Sequence, residues 1–519
     1  MTIKTTQETA PEQAVVRRPV QWRPDPLWPL SLVAALIGGV VVLAARTTLI
    51  DDTYITLDYA RNLAFHLHWG LTTTVTANTA TSPLNVLALG LVTAITRRPV
   101  VALGVVHVLA TVALEYGLRR TARALGLPAW LGLLAVVVMA VNPLLMSSVG
   151  MEIALGAGLT ALLLAASVYR RPLLFGILAG LLVLTRPDLA IVVLVVFVLR
   201  RDRFADWRRS LLGAVAVLLP WLVFSWVVLG SALPDTLIIK SAEHAWGPEN
   251  FGNGPKLYVD HYGAAGVLAF LPAALAILAA LAWLVVRVTR PTERTRRLDR
   301  LFALPVAGGL HYLAYAVLGV PPFHWYYGPA LTCLIVWLAA AVASLWPPAG
   351  VRFPVRLPGY AAVVAIAALL VVSVGDYTTG GVPRPAAQIM TNWATPQQYA
   401  LVGTELRGLV GNRSVESPGE VGAIAYFCDC DVVDIFSDPG AVDTMVNYSI
   451  RSHPGLERTL LEWNFHFRDR AITPVVPDLL LVMGDGPAKG ALASWPVSSP
   501  WIGAHVISLV RNTTRAAVR

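Results

Sequence analysis

The chain has 519 residues, 56% of them hydrophobic and 14% charged, with a mean hydropathy of +0.63 and a formal net charge of +9. Apolar residues gathered in long runs exclude a soluble globular domain and indicate a helical multi-pass membrane protein; an outer-membrane barrel would show short alternating segments instead. Much of the positive charge sits in short clusters between apolar runs, where cytoplasmic loops carry it, so it gives no reason to invoke nucleic acid.

Residues 1–26 are polar and contain proline, which predicts a disordered cytoplasmic tail ending in Arg17-Arg18. A first span runs from Leu27 to Ala45, about twenty mostly apolar residues. The chain then emerges into an acidic pair, Asp51-Asp52. Two adjacent carboxylates at a membrane surface are costly without a partner and suggest a site. The plainer reading is a solvated loop or a helix cap, since Asp is favoured at helix N-termini.

Further apolar runs lie near residues 99–118, 128–146, 151–169, 172–185, 188–200, 210–229, 263–288, 301–319, 326–346 and 357–375. Basic clusters punctuate them at Arg119-Arg120 with Arg123, at Arg170-Arg171, over Arg200 to Arg209 and Arg287 to Arg300, and at Arg352 with Arg356. Placing all five in the cytoplasm gives about eleven alternating spans, with the N-terminus inside and the C-terminus outside. Residues 83–96 are apolar but short for a span, and counting them would break the alternation. They are expected to form a re-entrant or interfacial helix in a first external loop over 46–98. A second large external loop covers 230–262. Together these make a membrane module over 27–376, in a plasma-membrane protein. Residues 377–519 contain Pro, Gly, charge and short β-rich runs (DVVDIF, PDLLLVMG), which predicts an extracytoplasmic α/β domain acting as a lid or docking module rather than as the seat of chemistry. Cys428-Asp-Cys430 is too tight for an easy disulfide, and Cys333 lies in a span, so no disulfide framework or metal finger is expected.

Under this topology several polar groups gather on the external face. Asp51, Asp52, Tyr54, Asp58 and Arg61 open the first loop, and the seven-residue spacing from Asp51 to Asp58 lets those carboxylates share a helix face. Met151-Glu152, Thr185-Arg186-Pro187-Asp188, Lys240 with His244, and His324-Trp-Tyr-Tyr follow. Each has a structural alternative: Arg186 and Asp188 as a helix-ending pair at Pro187, Glu152 as a first-turn acid, Lys240 as a solvated charge, His324 within an aromatic belt. Taken together, carboxylates and cations on one face suit a reaction between an anionic lipid and a hydroxyl. A carboxylate would act as general base, and Arg or Lys would hold the phosphate.

The segments DDTYITLDYARNL (from Asp51), TSPLNVLALGL (from Thr81), GMEIAL (from Gly150) and TRPDL (from Thr185) occur in the order found in GT-C glycosyltransferases. The sequence most resembles the actinobacterial arabinofuranosyltransferases of the AftB type, with weaker likeness in LPDTLIIKSA, HWYYGPAL and VGAIAYFCDCDVVDIFSDPG. Two departures stand out: Asn78-Thr79-Ala80 replace the usual glycine and aromatic residue before Thr81-Ser-Pro, and Asn85 replaces a Trp. The resemblance implies a multi-pass GT-C fold and a polyprenyl-phosphate sugar donor, with decaprenyl-phosphate arabinofuranose favoured. It implies transfer on the outer face to a cell-wall or lipoglycan arabinan, with another GT-C sugar such as mannose as the alternative. Asp51 or Asp52 would be the catalytic carboxylate. Arg186, Lys240, His324, Tyr54, Arg61, Asp188 and Glu152 would be donor phosphate or sugar contacts. No cofactor is required, though a divalent ion between Asp52 and the phosphate is chemically reasonable. A lipid or glycan flippase would need mid-span charges and internal repeats; Glu115 and His107 are the main mid-span polar residues, and no repeat is evident. A non-catalytic scaffold would leave the acidic pair without a job.

Overall fold

A computed structural model describes residues 27–199, 203–241, 246–346 and 353–513. The 1–26 tail, His244 and Arg352 lie outside the described residues.

The chain begins with α1 (Trp28–Ala45), α2 (Asp51–His66), α3 (Pro83–Thr96), α4 (Pro99–Leu125), α5 (Leu131–Ala140), α6 (Pro143–Ser147), α7 (Ile153–Val168), α8 (Pro172–Thr185) and α9 (Ala190–Val198). It continues through α10 (Arg203–Val228), α11 (Thr236–Ser241), α12 (Gly254–Tyr262), α13 (Ala264–Thr289), α14 (Glu293–Leu298), α15 (Ala303–Val317), α16 (Gly328–Leu345) and α17 (Phe353–Thr379). Proline opens α3, α4, α6 and α8, where its missing N–H costs nothing. Among the described residues, six helices are long and apolar enough to cross a membrane, including α1, α4, α10 and α13, and several shorter apolar helices pack between them.

The expected span over 128–146 is broken. Asn142 ends α5 and caps α6, accepting the amides of Leu144 and Leu145, while its Nδ2 donates to the Ala269 carbonyl of α13. Residues 83–96 form one helix, α3, which leaves Leu87, Leu91 and Ile95 exposed at i, i+4, i+8 spacing, as an interfacial helix would.

Interhelix contacts define two ends. At one, Arg297 donates to the Gly126 carbonyl (2.8 Å) and Arg300 to that of Val168 (3.2 Å). Near it, Arg119 pairs with Glu115 (2.7 Å) and bonds Ser31 (2.8 Å), so the mid-span acid is neutralised. At the other end, the residues after α1, the end of α6 and helix α11 meet the C-terminal residues, through Thr47 with the Arg384 carbonyl, Ser147 with the Ile389 amide, and Ile238 and Ile239 with Val442 and Val446.

That C-terminal segment contains α18 (Pro396–Val410), α19 (Gly422–Cys428), α20 (Pro439–Ser452) and α21 (Gly455–Asn464). It also carries strands β1 (Val415–Glu416), β2 (Val432–Val433), β3 (Leu479–Gly484), β4 (Ala493–Ser499) and β5 (Gly503–Arg511). The strands form one mixed sheet in the order β2-β1-β3-β5-β4; β1 runs parallel to β2 and β3, and β5 antiparallel to β3 and β4. Its core is continuous with the membrane module, since Leu57, Tyr59 and Leu89 of α2 and α3 pack in one cluster with Tyr399, Ile424, Leu479 and Ile507. One expectation fails here. Cys428 and Cys430 are joined in a disulfide, because Asp429 in the left-handed region (φ +52°) folds the chain back and brings the two Cα atoms to 5.2 Å.

Candidate active site

The acidic pair opens α2, and its two members have different fates. Asp51 is 5% exposed. Its Oδ2 accepts the Gly422 amide (2.9 Å) and its Oδ1 that of Ala423 (2.7 Å), so it caps the start of α19 from a distant part of the chain. Only glycine fits at 422, where a Cβ would fall 2.1 Å from the Asp51 carbonyl oxygen. Burial lifts the Asp51 carboxyl to about 6 against the pull of these amides. Asp52, one residue on, is half-buried at the same helix end.

Glu420 stands beside Asp51, an acid that sequence reasoning missed. Its carboxylate accepts Asn392 Nδ2 (2.9 Å), the Trp393 amide (3.0 Å) and the Tyr399 hydroxyl. Burial, then the Asp51 charge, push it up to about 8. Asn392 also links the two acids, because its Oδ1 accepts the Asp51 amide (3.4 Å).

Tyr54 and Arg61 serve the same α2–α19 contact. The Tyr54 ring lies 5.2 Å from Tyr426 and 5.4 Å from Phe427. Arg61 pairs with buried Asp58 (2.8 Å), reaches Asp429 (3.2 Å) and donates to the Tyr426 carbonyl (2.9 Å). The Asp58 carboxyl is raised by burial, which outweighs Arg61. Asp51 and Asp58 do share a helix face, but it is turned into the protein.

Lys240, at the end of α11, lies between two aromatic rings, its Nζ 4.2 Å from the Phe323 centroid and 5.3 Å from that of Phe436. Its charge acts on half-buried Asp434, whose carboxyl is raised by desolvation and whose own charge bears on Asp51. The α11 and α2 ends thus face one polar region. Thr79 completes its rim, bonded to the Tyr59 hydroxyl (2.7 Å) and to the Phe436 carbonyl (2.6 Å). Asn78 fixes the loop by donating to Ser225 and to the Ser231 carbonyl, both at 2.9 Å. Asn78 and Thr79 are therefore structural anchors of this loop.

Glu152, Arg186 and Asp188 form a second cluster. Arg186, 6% exposed, donates to Glu152 (2.9 Å), to Asp188 (3.0 Å) and to the Tyr315 hydroxyl (3.0 Å). Tyr315 in turn donates to Asp188 (2.7 Å), and His311 Nε2 lies 2.7 Å from the same carboxylate. His311 and Tyr315 were not picked out from sequence; their i, i+4 spacing on apolar α15 was the available signal. His324 is fully buried against Trp325 (4.9 Å) and Tyr258 (6.5 Å) and joins neither cluster.

An apolar groove with an empty volume of about 560 Å³, part of it open to the outside, runs between α1, α4, α5 and α7. Gly38, Val41, Thr111, Met139 and Met151 are among its walls. One wall is the Val149–Met151 turn, which is seated on α2, where Thr53 Oγ1 donates to the Val149 carbonyl (3.4 Å). Gly150 (φ +99°) permits that seat, since a Cβ there would meet Thr53 Cγ2 at 2.4 Å. Thr53, the residue after Asp52, thus touches one wall of the groove. Among the described residues, no three His, Cys, Asp or Glu side chains are grouped to hold a metal ion.

No family model and no curated protein matches the sequence. Solved structures do match. ArnT from Cupriavidus metallidurans, bound to undecaprenyl phosphate, aligns with a TM-score of 0.54 at 12% identity, over 93% of this chain and 98% of that one. The oligosaccharyltransferase of Archaeoglobus fulgidus in its apo form aligns with a TM-score of 0.54 at 12% identity, over 88% of this chain and 69% of that one. At such identity the likeness speaks for architecture: the chain is an α-helical multi-pass membrane protein with a GT-C-like fold and a small C-terminal sheet.

Proposed function

We propose that the protein transfers a sugar from a polyprenyl-phosphate donor to a hydroxyl of a cell-wall or lipoglycan glycan, on the outer face of the plasma membrane. The observation that carries this reading is the position of Asp52. It is half-buried at the start of α2, next in sequence to Thr53, which bonds the Val149 carbonyl in one wall of the apolar groove, and beside an Asp51 whose oxygens are both held by backbone amides. Asp51 is thereby a positioning residue, and Asp52 is the general base. Asp52 takes the proton of the acceptor hydroxyl as that oxygen bonds to the anomeric carbon. The bond from this carbon to the phosphate oxygen breaks, and polyprenyl phosphate leaves with the electron pair. Lys240, whose charge acts on Asp434, is assigned to offset charge developing on the phosphate. The groove takes the polyprenyl chain, and holding both reactants at one helix end supplies the gain of proximity. ArnT, which shares the fold, was solved with undecaprenyl phosphate, which supports a donor of that class.

Arabinofuranose is the proposed sugar and arabinan the proposed acceptor, on the order of the four sequence motifs. Arg186, Glu152 and Asp188 satisfy one another and are assigned to holding α7, α8 and α15 together. Tyr54 and Arg61 are assigned to the α2–α19 contact. No cofactor enters the scheme. A divalent ion would have Asp52 as its protein carboxylate, and no step is routed through one.

The test is transfer by purified protein from synthetic decaprenyl-phosphate arabinose to an arabinan oligosaccharide, beside the mannose donor. Product from arabinose supports the full reading. Product from mannose alone corrects the sugar, and product from neither overturns the enzyme.

A further inference from the structure

Helix α21 (Gly455–Asn464) is amphipathic in an uncommon sense, because its apolar face is turned outward. Leu456, Leu460, Trp463 and Phe467 are 74%, 56%, 56% and 48% exposed. Their spacing of four, three and four places them in one stripe along the helix and the turn that follows. The polar flank carries Arg458 paired with Glu462 (2.9 Å). A third, inner side meets the protein: Leu461 and Phe465 pack with Ile238, Ile239, Val442 and Val446. A soluble lid would have no use for four large apolar side chains on its surface.

The stripe lies where α10 ends. Trp226, in the last turn of α10, donates its Nε1 to the Trp463 carbonyl (2.9 Å). Its ring lies 4.6 Å from that of Trp463, tilted by 42°, and meets that of Phe467 edge-on at 4.9 Å. Asn464 fixes the same corner, its Oδ1 accepting the Leu233 amide (2.8 Å). α10 is a candidate membrane span with little of its surface covered by protein, and Leu219, Val223, Val227 and Val228 are exposed along it up to its final residue. The apolar surface of α21 is thus continuous with the lipid-facing surface of α10, joined through an aromatic cluster of the kind that gathers at membrane–water boundaries.

We propose that α21 lies in the bilayer interface at the end where α10 emerges, with Leu456, Leu460, Trp463 and Phe467 set into lipid. The inner side of α21 shares its cluster with Ile238 and Ile239 of α11, so this seat also braces the helix that presents Lys240. The inference concerns lipid contact and stands apart from the transfer reaction.

The test uses the full chain in phosphatidylcholine–phosphatidylglycerol nanodiscs, with a nitroxide label at Leu460→Cys or, separately, at Arg458→Cys. Cys333 is buried and Cys428 is bonded to Cys430, so the introduced thiol takes the label. Collision rates with oxygen, which partitions into lipid, and with a water-soluble nickel chelate are compared at each site. The expected oxygen-to-nickel ratio at 460 exceeds that at 458 several-fold. Equal ratios, with both sites open to nickel, would overturn the proposal by placing α21 in water. Protection of 460 from both agents would also overturn it, by showing that protein covers the stripe. If Leu460→Cys does not give monodisperse protein, Leu456→Cys reads the same face.

Discussion

The carboxylate of Asp51 accepts the main-chain N–H of Gly422 at 2.9 Å, across 371 positions of sequence. With the Ala423 amide on its other oxygen, it makes the C-terminal segment a wall of the candidate site.

Asp51→Ala leaves two buried amides without an acceptor, at about 1–3 kcal/mol each. Thermal unfolding in detergent is expected to shift well below that of the wild type. Asp51→Asn, which keeps one acceptor oxygen, should fall between the two. An Asp51→Ala protein as stable as the wild type would contradict the capping role.

The pair of buried Asp51 and half-buried Glu420 sets a pH dependence. The Glu420 carboxyl is raised in the folded protein from an ordinary 4.5 to about 8, so folding favours its protonated form. Its contribution to stability is complete below pH 4.5 and is lost as pH rises toward 8. The unfolding temperature of the wild type should therefore drop between pH 6 and pH 8 by more than that of Glu420→Gln. Parallel curves for the two proteins would remove Glu420 as the cause.

Lys240 is expected to act on the donor. Lys240→Met removes a charge without removing length, and losing one charge-assisted contact of roughly 1.5–3 kcal/mol corresponds to a fall in kcat/KM of about 10- to 100-fold. The fall should vanish when a neutral lipid analogue of the donor is titrated for binding. An equal loss of affinity for charged and neutral lipids would mean that Lys240 shapes the site without meeting phosphate.

Arg186 is predicted to matter for folding. Its guanidinium meets Glu152, Asp188 and Tyr315 at once, an arrangement the Lys ammonium cannot reproduce. Arg186→Lys should cost on the order of 3–5 kcal/mol, as other broken buried pairs do, while the surviving folded enzyme keeps the wild-type donor KM. A raised KM with unchanged stability would return Arg186 to the donor.

Much of this was legible in the sequence. Asp51-Asp52 drew attention as a charged pair at a span end; the capping reading is seen in Asp51, which caps α19, while the chemical role of Asp52 is a proposal. The helix that Asp51 caps lies in another part of the chain, which no local pattern reveals. Short apolar helices such as α5 and α9 were harder, because hydropathy reports burial in lipid or protein alike and Asn142 interrupts a run that reads as one span. Tyr54 and Arg61 look like site residues by proximity in sequence, yet α19 packs over them. Glu420 lay in a segment read as peripheral. The Cys428–Cys430 bond depends on a backbone turn at Asp429 that composition does not encode.

The most direct test of the account is the transfer rate of Asp52→Asn beside Asp51→Asn, each purified and compared at equal folded fraction with the polyprenyl-phosphate donor that the wild type accepts. The account predicts that Asp52→Asn loses about 10²- to 10⁴-fold in kcat, the usual contribution of a general base, with unfolding temperature unchanged. It predicts that Asp51→Asn loses stability first and keeps most of its rate per folded molecule. Wild-type kcat in Asp52→Asn, or a rate loss confined to Asp51→Asn, would contradict the assignment of the base.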